Sequence, residues 1–221
     1  MILQSAFVFL SLRILEEGID MSLFPAIKAY LPYQGTKYIA PEKAEDLREV
    51  MLDLKSKGQA ARKEFMDLAK DFQMLYPNLS LERASQWMNQ AQILRPHFWN
   101  YVKGYGEITE PMFALRLYGT AEDFGVSLEV SFMERKKDKS SLSKQNRILQ
   151  VPIEEPVYYF AQEKGVSQRF SGTEDNRQLL LKKVQEGQIR KVLAKYDINL
   201  SRAHSREEVL SNLQEAMTAL I

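Results

Sequence analysis

PEKAEDLREVMLDLKSKGQAARKEFMDLAKDFQMLY, residues 41–76, is the stretch whose reading decides the fold. Along it Leu47, Met51, Leu54, Gly58, Ala61, Phe65, Leu68, Phe72 and Leu75 follow one another at alternating steps of four and three. That rhythm keeps an apolar seam on one side of a helix and aims it at one long partner. Pro41 suits a first helical position, and Glu42, Glu45 and Asp46 complement the positive end of the helix dipole. The Tyr76-Pro77 step ends the pattern, because the residue before a proline is pushed out of the helical region. One long helix over 41–76 is therefore expected. Gly58 on its seam costs about 1 kcal/mol relative to alanine, unless it admits another backbone closely.

Working outward, Ser80 offers a cap, and Leu81, Ala84, Trp87 or Met88, Ala91 and Leu94 recur at helical spacing. The spacing predicts a second helix through about Arg95, folded back on the first as an N-terminal helical hairpin. Pro96 breaks it, and residues 97–102 read as a shorter helical piece. Upstream, residues 21–40 read as a helical turn and an extended lead-in.

From Pro111 the period changes. Residues 112–118 (MFALRLY) have strand length, and Val126, Leu128, Val130 and Phe132 alternate with Ser127, Glu129, Ser131 and Met133 as in a half-buried strand. Residues 147–153, 157–161 and 166–170 complete an expected antiparallel sheet of four to five strands, since no connection has the length of a parallel crossover. Thr173 caps a helix with Leu180, Val184, Ile189, Val192, Leu193 and Tyr196 on its apolar side, which Gly187 can interrupt. Ser205 to Glu208 is a capping box that opens a last helix. The class read from this pattern is α+β: the long N-terminal hairpin packed on a small antiparallel sheet, with two C-terminal helices. Its parts are helical 41–104, sheet 111–170 and C-terminal helices 173–221, within one domain over 21–221.

Composition narrows the chemistry. The 221 residues carry 30 Lys and Arg against 29 Asp and Glu, so nucleic acid or an anionic surface must be met by a local patch. No cysteine is present, which excludes disulfides, thiolate zinc sites and cysteine nucleophiles. With only His97 and His204, a metal site has to be mostly carboxylate, and no Ser-His-Asp arrangement stands out. No motif calls for a cofactor or a metal. Residues 2–12 are apolar but fall short of the roughly 20 residues that span a bilayer, and no positive charge precedes them as in a signal peptide. Glu16-Glu17-Gly18 ahead of Met21 is compatible with an encoded ribosome-binding string. Residues 1–20 are therefore expected to be a translated leader of a bacterial, cytoplasmic protein.

Three constellations carry possible chemistry. Trp87, Phe98, Trp99, Tyr101 and Tyr105, with Arg95, His97 and Lys103 between them, have the composition of a base-stacking surface. Aromatics at helical spacing are more often core, so packing is the expected role. Arg135, Lys136, Lys137, Lys139, Lys144 and Arg147 form a basic loop that, on one face with a helix carrying Lys182, Lys183, Arg190, Lys191 and Lys195, makes a candidate phosphate-binding surface. Its bland counterpart is a solvated loop guarding a strand edge. Glu134-Arg135-Lys136, with Asp123 upstream, has the letters of a Mg²⁺-dependent phosphodiesterase strand. The sequence thus reads first as a binding or interaction protein with nucleic acid as ligand. The alternatives are a nuclease using Asp123, Glu134 and Lys136, or a homo-oligomer joined through the long helix.

Overall fold

A computed structural model describes residues 22–104, 107, 109–133 and 138–221. The expected leader, residues 1–20, lies outside the described residues. The described residues form the α-helices α1 (Pro25–Tyr30), α2 (Arg48–Met74), α3 (Ser141–Asn146), α4 (Glu174–Gln185) and α5 (Arg206–Leu220). The strands are β1 (Ser80–Leu81), β2 (Trp99–Lys103), β3 (Met112–Gly119), β4 (Phe124–Ser131), β5 (Tyr158–Glu163), β6 (Val166–Ser171) and β7 (Ile189–Asn199). They make one seven-stranded antiparallel sheet in the order β1-β2-β3-β4-β7-β5-β6. The class is α+β.

The long helix is present, and its seam is the centre of the core. Leu54, Ala61, Phe65, Leu68 and Phe72 are at most 2% exposed, among α1, α5 and the inner residues of β3 and β4. The helix begins later than expected. Residues 41–47 form two 3₁₀ turns instead, and Glu45 sits at a φ of +46°, which breaks a continuous right-handed α-helix. Leu47 and Leu75, at the two ends of the seam, stay exposed. Gly58 admits a side chain rather than a backbone: a Cβ there would lie 2.5 Å from the Trp87 ring.

The second half of the expected hairpin is not a helix. Residues 80–81 are edge strand β1, residues 99–103 are β2, and the chain between them hooks onto the lead-in. Leu94 N donates to Thr36 O and Tyr38 N to Gln92 O, while the Tyr30 hydroxyl donates to the carbonyls of Trp87 and Arg95. Asn89 Oδ1 receives Ile93 N at 3.0 Å and Gln92 takes a φ of +59°, a turn that a helix cannot contain. The helical spacing of Leu81, Ala84 and Leu94 was coincidental; long-range hydrogen bonds satisfied this backbone instead.

Two further corrections concern the C-terminal half. Residues 147–150 form a 3₁₀ turn after α3, not a strand. The expected helix through Ile189 and Tyr196 ends at Gly187, whose φ of +72° closes α4 through bonds to Val184 O and from Gln188 to Lys183 O. Residues 189–199 are then the long strand β7, so the sheet has seven strands rather than four to five. Two C-terminal helices do occur, but β7 runs between them. The α5 cap is formed as the sequence predicts: Ser205 Oγ receives Glu208 N at 3.1 Å, and Glu208 reaches back to His204 N at 2.9 Å.

Among the described residues, α1, α2, α4 and α5 pack on one face of the sheet. α1, α2 and α5 cover β2, β3, β4 and the end of β7, while Leu149 of the 3₁₀ turn 147–150 and Leu180 of α4 cover Tyr159, Ala161 and Val192 on the same side. Along β3, β4, β7 and β5 the alternate residues point the other way. That second face is where the polar side chains gather.

Candidate functional site

Period-two alternation places Arg116 on β3, Ser127 and Glu129 on β4, Lys195 and Asp197 on β7, Tyr158 and Phe160 on β5 and Arg169 on β6, all on the face opposite α1, α2, α4 and α5. Cross-strand register makes them neighbours. Arg116 stands opposite Ser127, Ser127 opposite Asp197, Glu129 opposite Lys195, Lys195 opposite Tyr158, and Phe160 opposite Arg169.

At the centre is a buried ionic cluster. Glu129 is 0% exposed, and Arg116 grips it with Nε and Nη2 at 2.8 to 3.2 Å. Lys195 Nζ lies 3.1 Å from its other oxygen. Burial by itself would push the Glu129 carboxyl up, but the charges and hydrogen bonds of Arg116 and Lys195 outweigh it and hold the group below its ordinary range. The cluster therefore holds two cations and one anion. Its surplus positive charge lies in a position where charge is costly unless paired.

Next to it, Asp197 organises a second group. Its Oδ1 accepts from Ser127 Oγ at 2.7 Å and from the Tyr158 hydroxyl at 2.8 Å, and its Oδ2 from Arg169 Nη1 at 3.2 Å. Burial, then the charge of Asp197, pushes the Tyr158 phenol upward, and Tyr118 is shifted the same way. Both stay protonated donors at neutral pH. The Arg169 guanidinium lies 3.7 Å over the Tyr158 ring, and Lys195 lies 4.5 Å over Phe160. Gly125, opposite Tyr118, leaves room for the tyrosine over the strand; a Cβ there would meet the Tyr118 hydroxyl at 2.5 Å.

These residues line a cleft of about 690 Å³, closed on one side by Gln34, Pro96 and His97. Four cations face it (Arg116, Arg169, Lys191 and Lys195) against Asp197, with Glu129 beneath. Burial, then the neighbouring Arg116, lowers the pKa of His97 from the ordinary value to about 4, so it is neutral at pH 7. The arrangement can accept an anion and stack a flat group. Asp197 already receives two hydroxyls and a guanidinium, so its role here is to position those donors.

Of the basic surface expected from the sequence, the structure brings Lys191 and Lys195 to the cleft. Arg135, Lys136 and Lys137 of the basic loop fall outside the described residues, as do Glu134 and Tyr105. Lys144, in α3, pairs with Glu110 at 2.5 Å and with Asp138 at 3.5 Å, and Lys183 with Glu163 at 2.5 Å. Lys182 lies 3.9 Å from Glu186, and Arg147 is exposed in the 3₁₀ turn. Arg147, Lys182 and Lys183 belong to elements packed on the helix-bearing face, away from the cleft. Asp123 sits in the β3–β4 turn, where its Oδ1 accepts from Asn199 at 2.7 Å. Among the described residues no three acidic or histidine side chains gather as a metal site. No helix of the described residues is long and apolar enough to cross a membrane. Of the aromatic group, Trp87 and Phe98 are core, whereas Trp99 and Tyr101 turn to the opposite face, with Arg95 and Arg116 4.5 and 5.5 Å over Trp99.

Of the residues in the ionic cluster and around Asp197, only Lys195 belongs to the basic surface expected from the sequence, there placed on a helix; Arg116, Glu129, Asp197, Tyr158 and Arg169 do not. The available signal was a charge in the middle of two apolar strands, Arg116 within MFALRLY and Glu129 within VSLEVS. Lys195 and Asp197 were concealed by reading their segment as a helix. The chain matches no protein-family model, no curated protein and no solved structure.

Proposed function

We propose that the protein is a binding protein that takes a compact anionic ligand in the cleft on the open face of its sheet. The single observation that carries this is the buried Arg116–Glu129–Lys195 cluster, with two cations on one carboxylate at the cleft floor. A neutral pair would serve the fold as well, because buried charge in excess weakens a protein rather than holding it together. Surplus charge beside a cleft supports an incoming anion as the missing partner. The absence of a membrane-spanning helix among the described residues is compatible with the cytoplasmic location expected from the sequence.

Titration calorimetry with inorganic phosphate and sulfate tests the proposal on the parent and on Lys195→Met. The parent is expected to bind, and the variant to bind about tenfold more weakly or worse, the value of one charge-assisted hydrogen bond. No binding by the parent, or equal binding by the variant, overturns it.

Nucleic acid is the second reading, and one observation favours it: an open antiparallel sheet face with aromatic and cationic side chains is a surface on which single-stranded bases stack. The basic residues Lys144, Arg147, Lys182 and Lys183 support it less, since Lys144 and Lys183 are taken up in internal ion pairs. Fluorescence anisotropy with single-stranded and duplex oligonucleotides over a salt series distinguishes the two readings. Adding Mg²⁺ to the same assay decides the phosphodiesterase alternative, which requires cleavage that is lost in Asp123→Asn.

A further inference from the structure

The cleft is charged at one end and aromatic at the other. Its volume, about 690 Å³, is that of a site for an organic molecule, far more than a bare oxyanion fills. Towards β6 the floor changes character. The Arg169 guanidinium rests 3.7 Å over Tyr158, the thickness of a stacked pair, and Asp197 ties it down at 3.2 Å. Its side chain is nevertheless 53% exposed, so this fixed, flat cation still presents a surface outward. Phe160, directly opposite Arg169 in register, is half-buried and lies under Lys195. Arginine planes and aromatic rings are the platforms on which flat ligand rings stack. Lys195 on β7 and Arg169 on β6 are two strands apart, about 10 Å across the sheet. That span fits an anionic group joined to a ring, not a single anion.

We propose that the ligand is an anion carried on a flat aromatic ring, an aryl phosphate or a nucleoside monophosphate. Its charged group meets Arg116 and Lys195, and its ring stacks on the outward face of the Arg169 guanidinium. This rests on the anion-binding reading above and adds the chemical class of the ligand. Tyr118 and Tyr158 line the walls beside the ring, and the neutral His97 adds a hydrogen-bonding edge near the charged group.

The test is calorimetry with four probes: methyl phosphate, phenyl phosphate, adenosine 5′-monophosphate and adenosine. It is run on the parent, Lys195→Met, Arg169→Ala and Arg169→Lys. Phenyl phosphate or the nucleotide should bind about tenfold tighter than methyl phosphate, the value of one stacked ring. Both Arg169 variants should abolish that advantage; Arg169→Lys, which keeps the charge but not the plane, should weaken the ring phosphate more than it weakens methyl phosphate. Lys195→Met should weaken every phosphate. Whichever of the two ring phosphates gains identifies the source of the ring. Equal binding of methyl and phenyl phosphate, with the nucleotide no better, overturns the ring subsite while the anion site stands. Adenosine binding as tightly as its monophosphate overturns the charged part. If no probe binds, the anion-binding reading fails and this inference with it. Melting curves show that each variant is folded; should Arg169→Ala not be, Arg169→Lys alone decides.

Discussion

Replacing Glu129 by glutamine should be among the most damaging single changes in the protein. The side chain is fully buried and accepts from Arg116 at 2.8 to 3.2 Å and faces Lys195 at 3.1 Å. Glutamine keeps the shape and removes the charge, leaving Arg116 and Lys195, with 22% and 7% side-chain exposure, facing one another unpaired. Removing one partner of a buried ion pair costs about 3–5 kcal/mol. In a domain of this size that is a fall in melting temperature of about 10 °C. Lys195→Met is the counter-experiment, and the two must differ in size. Methionine keeps an apolar stem over Phe160 and removes the surplus cation, while Arg116 and Glu129 remain as a neutral pair. Its cost should be below about 1 kcal/mol, or the variant should be more stable than the parent. Urea unfolding of parent and both variants at neutral pH, without phosphate or sulfate, measures this. If Lys195→Met costs as much as Glu129→Gln, the three residues form a balanced structural network and the surplus-charge argument is wrong.

Other expectations follow from the same geometry. His97 has a folded-state pKa of about 4 against an ordinary 6.5, so the unfolded chain binds a proton that the folded chain refuses. Stability from this group is complete above pH 6.5 and is lost as pH falls towards 4; in urea unfolding between those values the parent should lose about 2–3 kcal/mol more than His97→Phe, and an equal loss in both would contradict this. Gly58→Ala should destabilise by about 1–3 kcal/mol despite alanine's better helix propensity, since its Cβ meets the Trp87 ring at 2.5 Å; a gain in melting temperature would show that the ring moves freely. Phe65→Ala, which empties a fully buried site beside Phe98, should cost about 3–5 kcal/mol in denaturant unfolding, and a cost near zero would contradict the seam as core.

The long helix was legible because its seam repeats over many turns, and the α5 cap because Ser205 and Glu208 meet through local geometry. The hairpin β3–β4 was legible from alternation. What failed were short apolar runs whose backbone partners are far away in sequence. Residues 189–199 contain Val192, Leu193 and Ala194 in a row because both faces of β7 are buried there, and such a run fits helix and strand equally. Ser80 to Arg95 had helical spacing but found hydrogen bonds on residues 35–38 and on β2. The site suffered for the same reason. Arg116 and Glu129 were visible as charges in strands, but their meaning required Lys195, whose strand was not recognised. Alternation at Glu129 predicted a solvated face, whereas the cluster and the cleft wall enclose it.

The position of β7 has a consequence for the order in which the molecule can be made. It is the last strand in the chain, yet it lies between β4 and β5, joining Val126 to Ile198 on one side and Tyr159 to Ala194 on the other. Until residues 189–199 leave the ribosome, the β1–β4 group and the β5–β6 hairpin have no common strand. Each then presents an unpaired edge, a template for intermolecular pairing. The charged cluster is equally incomplete, since Arg116 and Glu129 wait for Lys195. The sheet and its cleft therefore come into being together, in one late, non-local step whose closure is slow compared with hairpin formation.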